Sequence, residues 1–138
     1  NKSLKVDHIL IMGARNKSEH FLEPSNGNNI FITTDDGSLG IHGRITDALN
    51  EFDFNPSISK IFTCGPPLMM EAIRKLAIKK KVKCDLALER LMACGFGICQ
   101  GCTVEKHEYV NMESSYRSKF ALACMDGPIF SAEEIVEC

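Results

Sequence analysis

The chain has 138 residues, enough for one ordinary domain or two small ones, and its 44% hydrophobic and 25% charged residues are the balance of a globular protein. A net charge of -2 offers no electrostatic footprint for nucleic acid or an anionic membrane, and no apolar run approaches the ~20 residues that span a bilayer. The cysteine count of seven is odd, and Asp7 and His8 interrupt any apolar signal-peptide core at the start, so the expected setting is cytoplasmic and clustered thiols read as metal or redox chemistry rather than a disulfide framework.

In chain order, strand and helix signals alternate as far as residue 89. Val6 to Met12 (VDHILIM) is the mostly apolar run of a buried parallel strand. Asn16 to Leu22 fits a short helix, and Pro24 to Asn29 has loop chemistry. Ile30 to Thr34 (IFITT) is a second strand, ended by Asp35-Asp36-Gly37. A helix fits Arg44 to Phe52, with Ile45, Ala48, Leu49 and Phe52 at helical spacing. Ile61 to Thr63 is a third strand, and Gly65-Pro66-Pro67 opens a helix reaching about Lys80, because proline suits a first helical turn. Leu68, Ala72, Ile73, Leu76 and Ala77 define its expected apolar face. The run Lys79-Lys80-Lys81, with Lys83, reads as a solvated helix end whose cations suit the dipole. Val82 to Leu88 alternates as a fourth strand, and the β-α-β-α-β-α-β series predicts an α/β fold with a doubly wound parallel sheet. Texture changes at Arg90, which places a boundary between residues 1–89, a nucleotide-binding type of unit, and 90–138. Beyond it, Thr103 to Glu105 and Phe120 to Cys124 are short strand candidates flanking the polar excursion Lys106 to Lys119. Asp126-Gly127-Pro128 is a turn, from which Ile129-Phe130 packs back.

The segment Arg90 to Val104 (RLMACGFGICQGCTV) places Cys94, Cys99 and Cys102 within nine residues, interleaved with Gly95, Gly97 and Gly101, and Cys124 follows after 21 more. The spacing C-x4-C-x2-C plus a distant cysteine is the plant-type [2Fe–2S] ligand pattern. Two bridged irons need four thiolates, and glycines let the backbone approach closely enough for N–H groups to point at sulfur. Zinc is the competing reading, although only Cys99 and Cys102 form a C-x2-C pair. A catalytic thiol would need an activating partner, and His107 is the only histidine near the loop. Gln100 reads as a loop-surface residue, Cys84 as a packed strand residue, and terminal Cys138 has no assigned role. Cys64, at a strand end before a helix, fits a buried small hydrophobe and a functional group equally well.

Thr63-Cys64-Gly65-Pro66-Pro67-Leu68-Met69-Met70, Thr34-Asp35-Asp36-Gly37-Ser38-Leu39-Gly40, the Cys94 loop and the closing Cys124-Met125-Asp126-Gly127-Pro128-Ile129-Phe130 together resemble the electron-transfer subunits of NAD-dependent dihydroorotate dehydrogenase, within the ferredoxin–NADP reductase superfamily. The resemblance covers essentially the whole chain and departs in the long gap before Cys124, read as a hairpin insertion. It implies hydride transfer from NADH to FAD, then single electrons through a [2Fe–2S] cluster to FMN in a catalytic partner subunit, in pyrimidine biosynthesis. Cys94, Cys99, Cys102 and Cys124 would be the metal ligands. Cys64, Gly65 and Pro66 would approach nicotinamide and flavin, Asp35 and Asp36 would border the cofactor crevice, and Arg15 would meet the adenosine ribose or its phosphate. Without the resemblance, Asp35-Asp36-Gly37 is a plain tight turn and Arg15 a solvated charge. A sulfhydrogenase flavin subunit or another NAD(P)H-linked reductase is the neighbouring alternative, and a zinc-stabilised binding module the one from a different class.

Neither the family's flavin-binding barrel nor its glycine-rich phosphate loop is found in these residues, so the chain reads as the C-terminal portion of a longer subunit that by itself does not turn over NADH. In the strand order 3-2-1-4-5 the absent first strand is central. The expected result is a sheet split between the strands at family positions two and four, closed by direct re-pairing, by self-association or by a strand from another chain.

Overall fold

The computed structural model describes residues 8–23, 29–107 and 119–138. They form a mixed α/β structure dividing into two compact units, Asn1–Asp53 and Phe54–Cys138. The boundary expected near residue 89 falls inside the second unit, whose sheet joins strands from both sides of it. Among the described residues no helix is long and apolar enough to cross a membrane.

In the first unit, β1 (Leu10–Ala14), β2 (Ile30–Thr34) and β3 (Ile41–His42) make an all-parallel sheet in that order. β1 runs two residues beyond the apolar stretch that announced it, because pairing continues to Gly13↔Thr33 and Ala14↔Thr34. Gly13 is required there, since a Cβ would lie 2.6 Å from Ile45 Cγ1. Val6 and Asp7, and nearly all of the loop Pro24 to Asn29, lie outside the described residues. The helix expected over Asn16 to Leu22 is only a 3-10 turn, Lys17–Glu19, capped by Asn16 Oδ1 accepting from the Ser18 N–H at 3.0 Å. α1 (Ile45–Asn50) buries Ala48 and Leu49, and Asp47 Oδ2 accepts from the Arg44 N–H at 2.8 Å to start it. Phe52, beyond its end, meets Phe31 edge-on at 5.1 Å.

In the second unit, β4 (Lys60–Cys64) and β5 (Lys83–Ala87) are parallel, and β8 (Ile129–Ser131) adds to β5 antiparallel. α2 (Pro67–Lys80) starts at Pro67 and stops at Lys81, which takes the left-handed conformation (φ 57°). Its inward face is Met70, Ile73, Arg74 and Ala77: of the face read from the sequence Ile73 and Ala77 are buried, whereas Ala72 is exposed and Leu68 is 87% exposed. The apolar pattern passed over Arg74, which is 7% exposed because its charge is matched inside the unit. Its Nε and Nη2 donate to the two Glu71 carboxylate oxygens at 2.8 and 2.9 Å, and Nη1 donates to the carbonyls of Ala132 and Ile135. Leu86, Ile135 and Val104 are fully buried, and Cys84 is packed as expected. β6 (Thr103–Glu105) and β7 (Phe120–Leu122) pair antiparallel. The strand expected to reach Cys124 ends at Leu122 and turns into a four-residue helix, α3 (Ala123–Asp126), because Asp126 Oδ2 accepts from the Leu122 N–H at 2.7 Å. The polar excursion after Lys106 lies largely outside the described residues.

Among the described residues β1 pairs only with β2 and β4 only with β5, so each parallel pair ends on an edge strand.

The fork from Arg74, opposed by burial and aided by Lys75, lowers the Glu71 carboxyl to about 2 from 4.5. A depressed folded-state value contributes stability above the unfolded pKa, and that contribution is lost as pH falls toward the folded value. Urea midpoints of the wild type and Glu71→Gln should therefore differ most at neutral pH and converge as pH falls below about 4.5; a gap that stays constant with pH would contradict this assignment.

Candidate metal centre

The loop between β5 and β6 carries the first three thiols. Its bends fall at Gly95 (φ 73°), Gly97 (φ 85°) and Gln100 (φ 57°), all left-handed. Gln100 is an exposed loop residue, as expected. It adopts a conformation that side chains other than glycine's resist, and its carbonyl is pinned by the Thr103 hydroxyl at 2.6 Å. These bends turn amides onto sulfur: the Cys99 N–H donates to Cys94 Sγ and the Gly101 N–H to Cys99 Sγ, each at 3.4 Å. Gly101 itself needs no unusual φ.

Cys102 is 3% exposed and sits immediately before β6. Cys124 lies on α3, just past the end of β7, and the hairpin register brings the two together. The Ala123 N–H donates to the Cys102 carbonyl at 2.9 Å, so the ladder continues one step beyond the strands. Cys102 and Cys124 thus act on one another electrostatically, and Cys124 also feels the Gly97 amide. The Asp126 carboxylate that ends β7 therefore also sets where Cys124 points.

The loop bends bring Cys99 onto Cys94 and the hairpin brings Cys124 to Cys102, and Cys124 also feels Cys94. Amide donation, first from Cys99 and then from Phe96, holds Cys94 at about 6, against 9.0 for an ordinary thiol. Cys102 is likewise lowered, chiefly by the Cys124 N–H, whereas Cys124 is raised, chiefly because its thiol donates to Cys102. Among the described residues no three His, Cys, Asp or Glu side chains converge on a single ion-sized point. All seven cysteines are free thiols. The rim is apolar and open: Leu91, Ile98 and Phe96 are exposed, with Met92 and Met125 half-exposed or more.

The residues expected at a nucleotide are placed at strand ends in each unit. In the first, Arg15 follows β1, and Asp35 and Asp36 follow β2, so all three share the carboxyl edge of that sheet. Arg15 pairs with Glu19 at 2.6 Å, and Asp36 Oδ1 accepts from Ser38 N–H and Oγ–H in a tight turn. In the second, Cys64 ends β4, Gly65 has φ 149°, and Pro66 caps α2. A Cβ on Gly65 would lie 2.6 Å from Met69 Cε. Cys64 is exposed and lines a shallow depression of ≈ 220 Å³ with Phe62, Thr63, Asp85, Ala87 and Ile129. Cys138 has a part the sequence did not announce: its N–H donates to Glu71 Oε2 at 3.3 Å.

Residues 89–136 match the family model described as the iron–sulfur cluster binding domain of dihydroorotate dehydrogenase B. The chain is 32% identical over 136 residues to a dihydroorotate dehydrogenase B (NAD(+)) electron transfer subunit of Caldanaerobacter subterraneus subsp. tengcongensis, covering 98% of this chain and 52% of that protein. It is 36% identical over 135 residues to the probable counterpart of Pyrococcus furiosus, covering 93% and 46%. A solved structure of an NADH-dependent reduced ferredoxin–NADP oxidoreductase, reported for flavin-based electron bifurcation, superposes with a TM-score of 0.62 at 26% identity over 91% of this chain and 42% of that one. The chain spans about half the length of the curated relatives it matches.

Thiol exposure gives a direct check. Burial pushes the Cys84 thiol up to about 11 from 9.0. In metal-free protein treated with iodoacetamide near neutral pH, Cys94, with its lowered thiol, and exposed Cys64 and Cys99 should alkylate before Cys84, whose thiolate fraction is about a hundredfold below that of an ordinary thiol. Peptide mass spectrometry over time reads the order, and early labelling of Cys84 would contradict the packing described.

Proposed function

We propose that this chain, whose residues 89–136 belong to the iron–sulfur cluster binding domain family of dihydroorotate dehydrogenase B, is the cluster-bearing part of an electron-transfer subunit that passes electrons from NADH, through flavin and a [2Fe–2S] cluster, to an FMN-containing dehydrogenase in pyrimidine biosynthesis. The observation that carries the reading is that the loop amides bring Cys99 onto Cys94 while the hairpin register brings Cys124 to Cys102. A zinc ion wants four ligands around one point, whereas a binuclear core wants two thiolates on each metal. In this reading Cys94 and Cys99 would hold one iron and Cys102 and Cys124 the other. The bound cluster supplies a one-electron store.

The chain's own groups fit that task. The amides of Cys99 and Gly101 donate to ligand sulfurs and stabilise added negative charge, which raises the potential. Burial of Cys102 in a low-dielectric setting opposes them. The apolar rim of Leu91, Phe96, Ile98 and Met125 suits a protein surface that excludes water around a transferring electron.

Cys64, Gly65 and Pro66 would meet the nicotinamide and flavin from the end of β4, and Arg15, Asp35 and Asp36 the adenosine portion from the ends of β1 and β2. Such strand ends are where doubly wound sheets take ligands. The functional boundary then stays near residue 89, where the family match begins. The two edge strands fit a doubly wound sheet lacking its central strand, completed by self-association or by a strand from another segment. The likeness to an NADH-dependent ferredoxin–NADP oxidoreductase favours one further reading, a related NAD(P)H-linked reductase subunit with another final acceptor.

Anaerobic reconstitution of the full chain tests the core of this. We expect about two iron and two acid-labile sulfide per chain and a rhombic low-temperature EPR signal on reduction. Cys102→Ala and Cys124→Ala should abolish the signal, whereas Cys84→Ser should keep it. A colourless protein that retains only zinc under these conditions would overturn the electron-carrier reading.

A further inference from the structure

A closing segment ties the centre's hairpin to the rest of its unit. Residues Ile129–Ser131 pair with β5, and the Ala132 N–H donates to the Cys84 carbonyl at 2.8 Å. The chain then crosses to β6. The His107 N–H donates to the Glu134 carbonyl and the Val136 N–H to the Glu105 carbonyl, each at 3.0 Å, and Lys106 bridges Ile135. This strap therefore has one foot on the β4·β5·β8 sheet and the other on the strand that starts one residue after Cys102.

Arg74 spans both feet. Its Nη1 donates at 3.3 Å to Ala132 O, where the strap leaves β5, and at 3.3 Å to Ile135 O, where it reaches β6. The other side of the guanidinium is locked by Glu71 in a two-point fork, and the same carboxylate accepts from the Cys138 N–H and pairs with Lys75 at 3.3 Å. A guanidinium 7% exposed, with donors committed on two sides in a fixed plane, determines the spacing of what it holds. Lysine has a single ammonium and cannot reproduce this plane.

We propose that Arg74 is a positioning residue for the metal centre: from α2 it fixes the strap that ties the hairpin bearing Cys102 and Cys124 to the β4·β5·β8 sheet. The proposal rests on the reading of the four cysteines as cluster ligands. Arg74 touches none of them and acts through the backbone of Ala132 and Ile135. It adds a constraint on where the hairpin lies that the thiol spacing does not contain.

The test compares wild type, Arg74→Lys and Arg74→Met in the full chain by two readouts. In metal-free protein, amide hydrogen exchange at His107, Ala132 and Val136 should accelerate by about ten- to a hundredfold in Arg74→Met, the effect of losing charge-assisted hydrogen bonds, and less in Arg74→Lys. Amides inside α2, β4 and β5 should change little. In reconstituted protein, loss of iron to bathophenanthroline should follow the same order, with a broadened EPR line from the cluster that remains in Arg74→Met. Unchanged exchange at His107 and Val136, or a uniform loss of protection through α2, β4 and β5, would overturn the proposal. A chain that takes up no iron yet shows the graded exchange would sink the cluster reading while supporting the latch.

Discussion

Everything proposed for this chain depends on the register of β6 against β7. Two cysteines separated by 21 residues meet only because Thr103↔Leu122 pairing continues into the Ala123 to Cys102 hydrogen bond, and because Asp126 then stops the strand. A slip of one residue would turn the whole strand over, face for face. The loop thiols depend on local bends and not on register: Gly95 and Gly97 take left-handed conformations at little cost, and Gln100 takes one under the restraint of Thr103. Two different devices, one local and one long-range, thus supply the two pairs of sulfurs.

The electrostatics of the centre follow from the same geometry. Amides bent toward sulfur favour the thiolate over the thiol, as the lowered Cys94 shows, and the same dipoles favour an added electron on a bound core. Cys84, on a neighbouring strand, has no such donors and is buried, and its thiol moves the other way. Cys102 is as buried as Cys84, at 3% exposed, yet its thiol is lowered, so the donors aimed at sulfur and not burial divide identical side chains into ligand-like and inert.

The sheets pose a separate physical problem. Parallel strands ordinarily have neighbours and covered faces, yet β1 and β4 each have a pairing edge that no described strand fills. Ile9 and Leu10 at the first edge and Phe62 on the second sheet are substantially exposed, apolar surface that a globular unit rarely leaves uncovered. This fits a chain that spans about half the length of its relatives.

By itself the sequence determined the four-thiol pattern, the parallel strands β2, β4 and β5, the start of α2 at its prolines and the packed state of Cys84. These signals are local: spacing, apolar runs and the fixed φ of proline. Only the tertiary structure decided the extension of β1 through Gly13 and Ala14, the short β3, the turn of Cys124 onto a helix and the inward face of α2. Arg74 shows the reason most plainly. A charged residue is read as solvated until its partners are known, and two of them, the carbonyls of Ala132 and Ile135, lie about sixty residues away, where no periodicity can reveal them.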